Sequence, residues 1–118
     1  MITLDTIRRH AMSLPEVEEK THFGKPGFRV RDKLFASFHP DGDQASAILN
    51  LDQTDAAAAM ELDPAGLEEV WRTHGVNRIF VGLRADLAEV SDERCQQLVE
   101  QAWRSQAPKR LLKNLENR

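Results

Sequence analysis

The hydrophobic pattern of this chain predicts an α+β domain with two layers: an antiparallel sheet of about five strands, with helices packed on one face. Three observations carry the prediction. Apolar residues recur at helical spacing near both ends of the chain. Between residues 17 and 51 they alternate with polar residues instead, as strands do. The alternating runs are broken only by short Gly, Pro and Asp turns, which join neighbouring strands antiparallel.

The elements follow in order. Thr3 can cap a first helix and Asp5 suits its positive N-terminal end. Leu4, Ile7, Ala11 and Leu14 form its apolar stripe, and Pro15 stops it. Val17, Glu19, Thr21 and Phe23 alternate with Glu16, Glu18, Lys20 and His22 in a first strand. Gly24-Lys25-Pro26-Gly27 reads as a turn. Phe28 and Val30 share one face of a second strand, Arg29 and Arg31 the other. Asp32-Lys33 connects to a third strand, with Leu34, Ala36 and Phe38 on one side and Phe35 opposite. Pro40-Asp41-Gly42-Asp43 turns into a fourth strand over 45–51.

Thr54 caps an Ala-rich helical turn ending near Leu62. Asp63-Pro64 reads as the start of a further helix that ends at His74-Gly75. Arg78 to Leu83 is the fifth strand, with Ile79, Val81 and Leu83 facing one way and Arg78, Phe80 and Arg84 the other. Ser91 caps a helix whose stripe is Cys95, Leu98, Val99, Ala102 and Trp103. Pro108 breaks it, and residues 106–118 form a basic helical tail.

The 118 residues fit a single domain over 1–118, with 41% hydrophobic and 30% charged residues. One cysteine excludes an internal disulfide and suits a reducing compartment. No apolar run is long enough to span a membrane, and no secretory signal is visible, so a cytoplasmic protein is expected, a monomer by preference.

Net charge is −3, but its sign alternates by block. Lys20 to Lys33 holds five cations against Asp32 alone; Leu34 to Trp71 holds eight acids and no Lys or Arg; Arg72 to Arg84 holds three Arg and no acid. A folded domain can gather such blocks into a basic face. The candidate surface is Lys20, Lys25, Arg29, Arg31, Lys33, Arg78 and Arg84, with Phe35 and Phe80 placed to stack on bases.

Other chemistry is sparse. His10, His22, His39 and His74 show no metal-ligand spacing. The acids of 16–19 and 41–69 are spread, as on a solvated face, and form no calcium loop. Cys95 lies within an apolar stripe, and Trp71 and Trp103 read as core. Residues 24–27 lack the Gly-Lys-Ser/Thr of a phosphate loop. No catalytic constellation, metal or cofactor is expected.

Leu14-Pro15-Glu16-Val17, His22-Phe23-Gly24, Phe28-Arg29-Val30, Lys33-Leu34-Phe35-Ala36, Ala47 to Leu51, Pro64, and His74-Gly75 leading to Arg78 occur in this order. Together they resemble the MmcQ/YjbR family over about residues 3–105. The resemblance implies a frataxin-like (CyaY-like) fold and DNA binding through a double wing, two adjacent β-hairpins. On this chain their turns would be Arg31-Asp32-Lys33 and Pro40 to Gln44. The expectation is thus a non-catalytic binding module, with DNA as partner. The alternative is a small anionic ligand or a protein partner, held by a pocket of His22, Lys25, Arg29 and Arg78.

Overall fold

The computed structural model describes residues 2–40 and 45–116, with the backbone alone for His22 and residues 114–116. Helix α1 (Leu4–Met12) opens where the Thr3 hydroxyl accepts a hydrogen bond from Thr6 N–H. Strands β1 (Val17–His22), β2 (Lys25–Val30), β3 (Lys33–His39) and β4 (Ser46–Leu49) form an antiparallel meander. Helix α2 (Gln53–Leu62) is capped by Asp52, whose carboxylate accepts from Asp55 N–H. Thr54, the expected cap, lies inside that helix. Strands β5 (Leu67–His74) and β6 (Asn77–Asp86) form a long hairpin. Helix α3 (Asp92–Gln106), capped by Ser91, and α4 (Lys109–Glu116) complete the chain.

The sheet therefore has six strands, in the order β1-β2-β3-β4-β6-β5, every neighbouring pair antiparallel. The sixth is the segment expected as a helix from Pro64 to His74. Val70, Trp71 and Thr73 favour extended backbone. The consecutive acids Glu68 and Glu69 interrupt the apolar–polar alternation that would have marked the strand. Gly75, with φ +64°, begins the two-residue turn to β6 and caps no helix. A second correction concerns residues 24–27. The first turn is Phe23-Gly24, both at positive φ, and β2 already runs from Lys25.

The helices cover one sheet face. Phe28, Val30, Phe35, Ala36, Ala47, Leu49, Leu83 and Ala85 meet Ile7, Ala11, Leu98, Val99 and Trp103 in one core. Trp103 is fully buried, and its indole N–H donates to the Pro15 carbonyl at 3.1 Å. Leu111 of α4 is buried as well, so part of the basic tail is docked. Arg8 of α1 grips Glu19 of β1 with two hydrogen bonds, 2.7 and 3.0 Å. Among the described residues no helix is long and apolar enough to cross a membrane.

Two irregularities decide which side chains leave the core. Phe28 pairs with Ala36 and Arg29 with Leu34, so Phe35 is the extra residue of a bulge. Val70 pairs with Gly82 and Trp71 with Phe80, which leaves Val81 as the extra residue of a second. Phe35 turns into the core, while Leu34 and Val81 line the uncovered face. The alternation read from the sequence places all three the other way.

Candidate functional site

Antiparallel pairing throughout puts the β2–β3 and β5–β6 turns at the same end of the sheet. Strand β4 ends at Leu49, opposite Leu83, so residues 77–82 of β6 run on past it, roughly 20 Å at strand rise. The β2–β3 hairpin also passes the end of β4, since Leu49 pairs with Ala36. The β5–β6 ribbon thus projects beside the β2–β3 hairpin, which β1 flanks up to the pair Val17 and Val30; the two hairpin axes lie three strand spacings apart, or about 14 Å. The turn expected as the second wing, Pro40 to Gln44, falls on residues 41–44, which lie outside the described residues; β3 before it ends at His39, at the end of the sheet away from the β2–β3 turn.

The β2–β3 tip is a two-residue turn, Arg31-Asp32, both left-handed at φ 51° and 66°. Arg31 Nε lies 2.9 Å from Glu16 Oε1. Lys20 on β1 sits 3.3 Å from Glu18 and 3.5 Å from Asp32. Arg29 Nη1 donates to the Asp32 carbonyl. Lys33 is exposed. The β5–β6 tip exposes residues 72–79, with Val76 99% exposed, and Arg78 lies over the Trp71 ring. Among the described residues no carboxylate pairs with Lys33, Arg72 or Arg78.

The expected single cationic face is not what these positions form. Arg84 stands on β6, three strands from Arg29, in a hollow with Glu68, Asp86 and Glu89, 3.4 Å from the Glu68 carboxylate. Phe35 is fully buried and has no surface for stacking. Phe80 is half-buried against Trp71. Lys25 turns away from the tips and into a cleft on the uncovered face.

That cleft, about 490 Å³, lies on the face opposite the helices and is lined by Lys25, Ser37, His39, Asn50, Arg72 and Phe80 among others. Lys25 Nζ is 3.3 Å from His39 Nδ1, and His39 Nε2 is 2.9 Å from Ser37 Oγ. An ammonium group only donates. A neutral His39 therefore turns the Nδ1 lone pair to Lys25 and its N–H to Ser37. In that tautomer the row Lys25, His39, Ser37 orders its side chains. The pocket expected from His22, Lys25, Arg29 and Arg78 is replaced by this set: Lys25 belongs to it, Arg29 and Arg78 do not line it, and the His22 side chain lies outside the described residues. Sequence reasoning missed Arg72, Ser37, His39 and Asn50. Arg72 was hidden by the helix reading; the strand signal in Val70-Trp71-Arg72-Thr73 is what could have found it.

Cys95 is buried in α3, and burial, then Asp92, pushes its thiol up to about 11, which makes it a poor nucleophile. Among the described residues no three His, Cys, Asp or Glu side chains gather as a metal site.

A family model described as YjbR matches residues 12–105. The chain belongs to the YjbR family. The match spans the whole sheet and most of α3, so both hairpins and the cleft lie within the family region of this YjbR protein. No curated protein matches the chain.

Proposed function

We propose that this YjbR protein is a non-catalytic DNA-binding module that grips a duplex between two wings, the β2–β3 and β5–β6 hairpins. The carrying observation is that both turns leave the same end of the sheet and bear cations. A two-stranded ribbon fits a major groove about 12 Å wide. The β5–β6 ribbon suits it: Trp71 to Arg84 holds no acid, and Arg78, Asn77 and Thr73 are exposed near its tip. Lys33 and Arg31, about 14 Å away by strand spacing, would then meet phosphates. Arg31 must give up Glu16 to do so, and an acidic sum of −3 works against binding. The interaction is therefore weak and strongly salt-dependent. The lone buried cysteine and the absence of a spanning helix among the described residues accord with a cytoplasmic place of action.

The test is anisotropy of a labelled duplex at two salt concentrations, with Arg78→Glu and the pair Arg31→Glu, Lys33→Glu. Each change is expected to weaken binding at least tenfold at low salt, and the pair to lower the log–log salt slope by about 2. No binding at low salt, or unchanged affinity when both wings are reversed, overturns the proposal.

A further inference from the structure

We propose that the cleft on the uncovered sheet face is a separate binding site for a small amphipathic anion: a carboxylate, sulfonate or phosphate carried on an aromatic or aliphatic body. Four observations carry it.

The first is charge. Lys25 and Arg72 enter the cleft from opposite parts of the sheet, β2 and β5, and no carboxylate stands among its described lining residues. This is unusual in an acidic chain whose other cations so often sit beside acids, as Arg8, Lys20, Arg31 and Arg84 do. The second is the floor. Leu34, Ile48, Phe80 and Val81 are half-buried, and the two bulges are what put Leu34 and Val81 there. Two cations above an apolar floor suit a ligand with one charged end.

The third is Asn50. Its backbone is fixed on both sides, with its N–H donating to the Phe35 carbonyl at 2.8 Å and its carbonyl accepting from Gln106 at 2.8 Å. Its side-chain Oδ1 is buried and lacks a hydrogen-bond partner. A buried oxygen in that state costs stability. Rotation of the amide toward the cleft lets a ligand N–H or O–H satisfy it. The fourth is Phe23. It stands at the rim, 90% exposed, on a left-handed residue with φ 51°. An aromatic ring at the rim of the cleft is placed to pack against a bound molecule.

Lys25 is pre-oriented by His39, which Ser37 steadies in turn. An anion that bonds the Lys25 ammonium therefore meets a side chain already restricted, and less freedom is lost on binding.

The full chain is titrated with 8-anilinonaphthalene-1-sulfonate, which has a sulfonate, fused rings and an N–H. N-phenyl-1-naphthylamine, the same body without the charge, serves as control. Amide NMR shifts locate the site and fluorescence gives affinity. The expected result is micromolar sulfonate binding with shifts at Lys25, Ser37, His39 and Asn50. Lys25→Met with Arg72→Met, both at the surface of the sheet, should weaken the sulfonate at least tenfold and leave the neutral probe within twofold. Phe23→Ala should weaken both probes threefold or more. Shifts confined to another part of the molecule overturn the proposal. So does equal loss of both probes in the double variant, or no saturation below millimolar concentration. The readout is a small probe and no DNA is present, and Arg31, Lys33 and Arg78 are untouched by these changes, so failure here leaves the DNA test standing and the reverse holds too.

Discussion

The guanidinium carbon of Arg78 lies 4.7 Å from the centre of the Trp71 ring, and Phe80 meets the same ring edge-on with centroids 5.2 Å apart. Three side chains from two strands thus fasten the part of the β5–β6 hairpin that extends past β4. Cation–ring and edge-on ring contacts each contribute about 0.5–1 kcal/mol. Trp71→Ala should cost about 1–2 kcal/mol in urea unfolding followed through buried Trp103. A cost below about 0.3 kcal/mol would mean that the stack does not hold the ribbon.

Gly82 is where β6 presses on the end of β4. A Cβ there would lie 2.2 Å from the Leu49 carbonyl oxygen and 2.9 Å from its carbon, both backbone atoms. Since backbone cannot swing aside as a side chain can, Gly82→Ala should cost about 3 kcal/mol or more. A melting temperature within a few degrees of the parent protein would show that the strands separate there at little cost.

The Arg31-Asp32 turn holds two side-chain-bearing residues in the left-handed region, which glycine enters without penalty. Asp32→Gly loses the long Lys20–Asp32 contact, 3.5 Å and exposed, worth little. A net gain of about 0.5 kcal/mol is expected, seen as a rise of about 2 °C in melting temperature. A fall would mean that the Asp32 carboxylate matters more to the turn than its backbone strain.

Burial holds the Cys95 thiol near 11, above its ordinary 9.0. The folded state therefore favours the neutral thiol. This contribution is complete below about pH 9 and is lost as pH rises through 11. In Cys95→Ala the decline in urea stability between pH 9 and 11 should be shallower. At pH 8 the native thiol should resist a disulfide reagent that labels it rapidly in urea; fast native labelling would place Cys95 near the surface.

Glu19 is held below the usual carboxylate range by its hydrogen bonds to Arg8. Its contribution is present above the unfolded value of about 4.3 and fades as pH falls through the lower folded value. Glu19→Gln should flatten the stability profile below pH 5. Identical profiles would assign acid sensitivity to other carboxylates.

Most of the fold was legible because its signals are local. Thr3 and Ser91 cap as their hydroxyls suggest, and the α3 stripe from Cys95 to Trp103 is the buried one. What escaped depends on partners distant in the chain. Nothing near Phe35 announces that Arg29 will pair with Leu34, yet that pairing moves Phe35 inward and Leu34 outward. Leu67 to His74 resisted reading because the paired acids Glu68 and Glu69 blur the alternation of a strand. The cations Arg31 and Arg84 were readable as residues, but the acids beside them, Glu16 and Glu68, are supplied by other segments of the chain.

The strand order has a kinetic consequence. Each hairpin with a two-residue turn needs only local chain closure, whereas Ser46 must find Asp86, forty positions later, before β4 and β6 can zip. Closing so long a segment is entropically slower than closing a hairpin. Assembly is therefore expected in two tempos: the ribbons first, then their union along the β4–β6 seam, with Gly82 at the join and the slowest refolding phase belonging to that meeting.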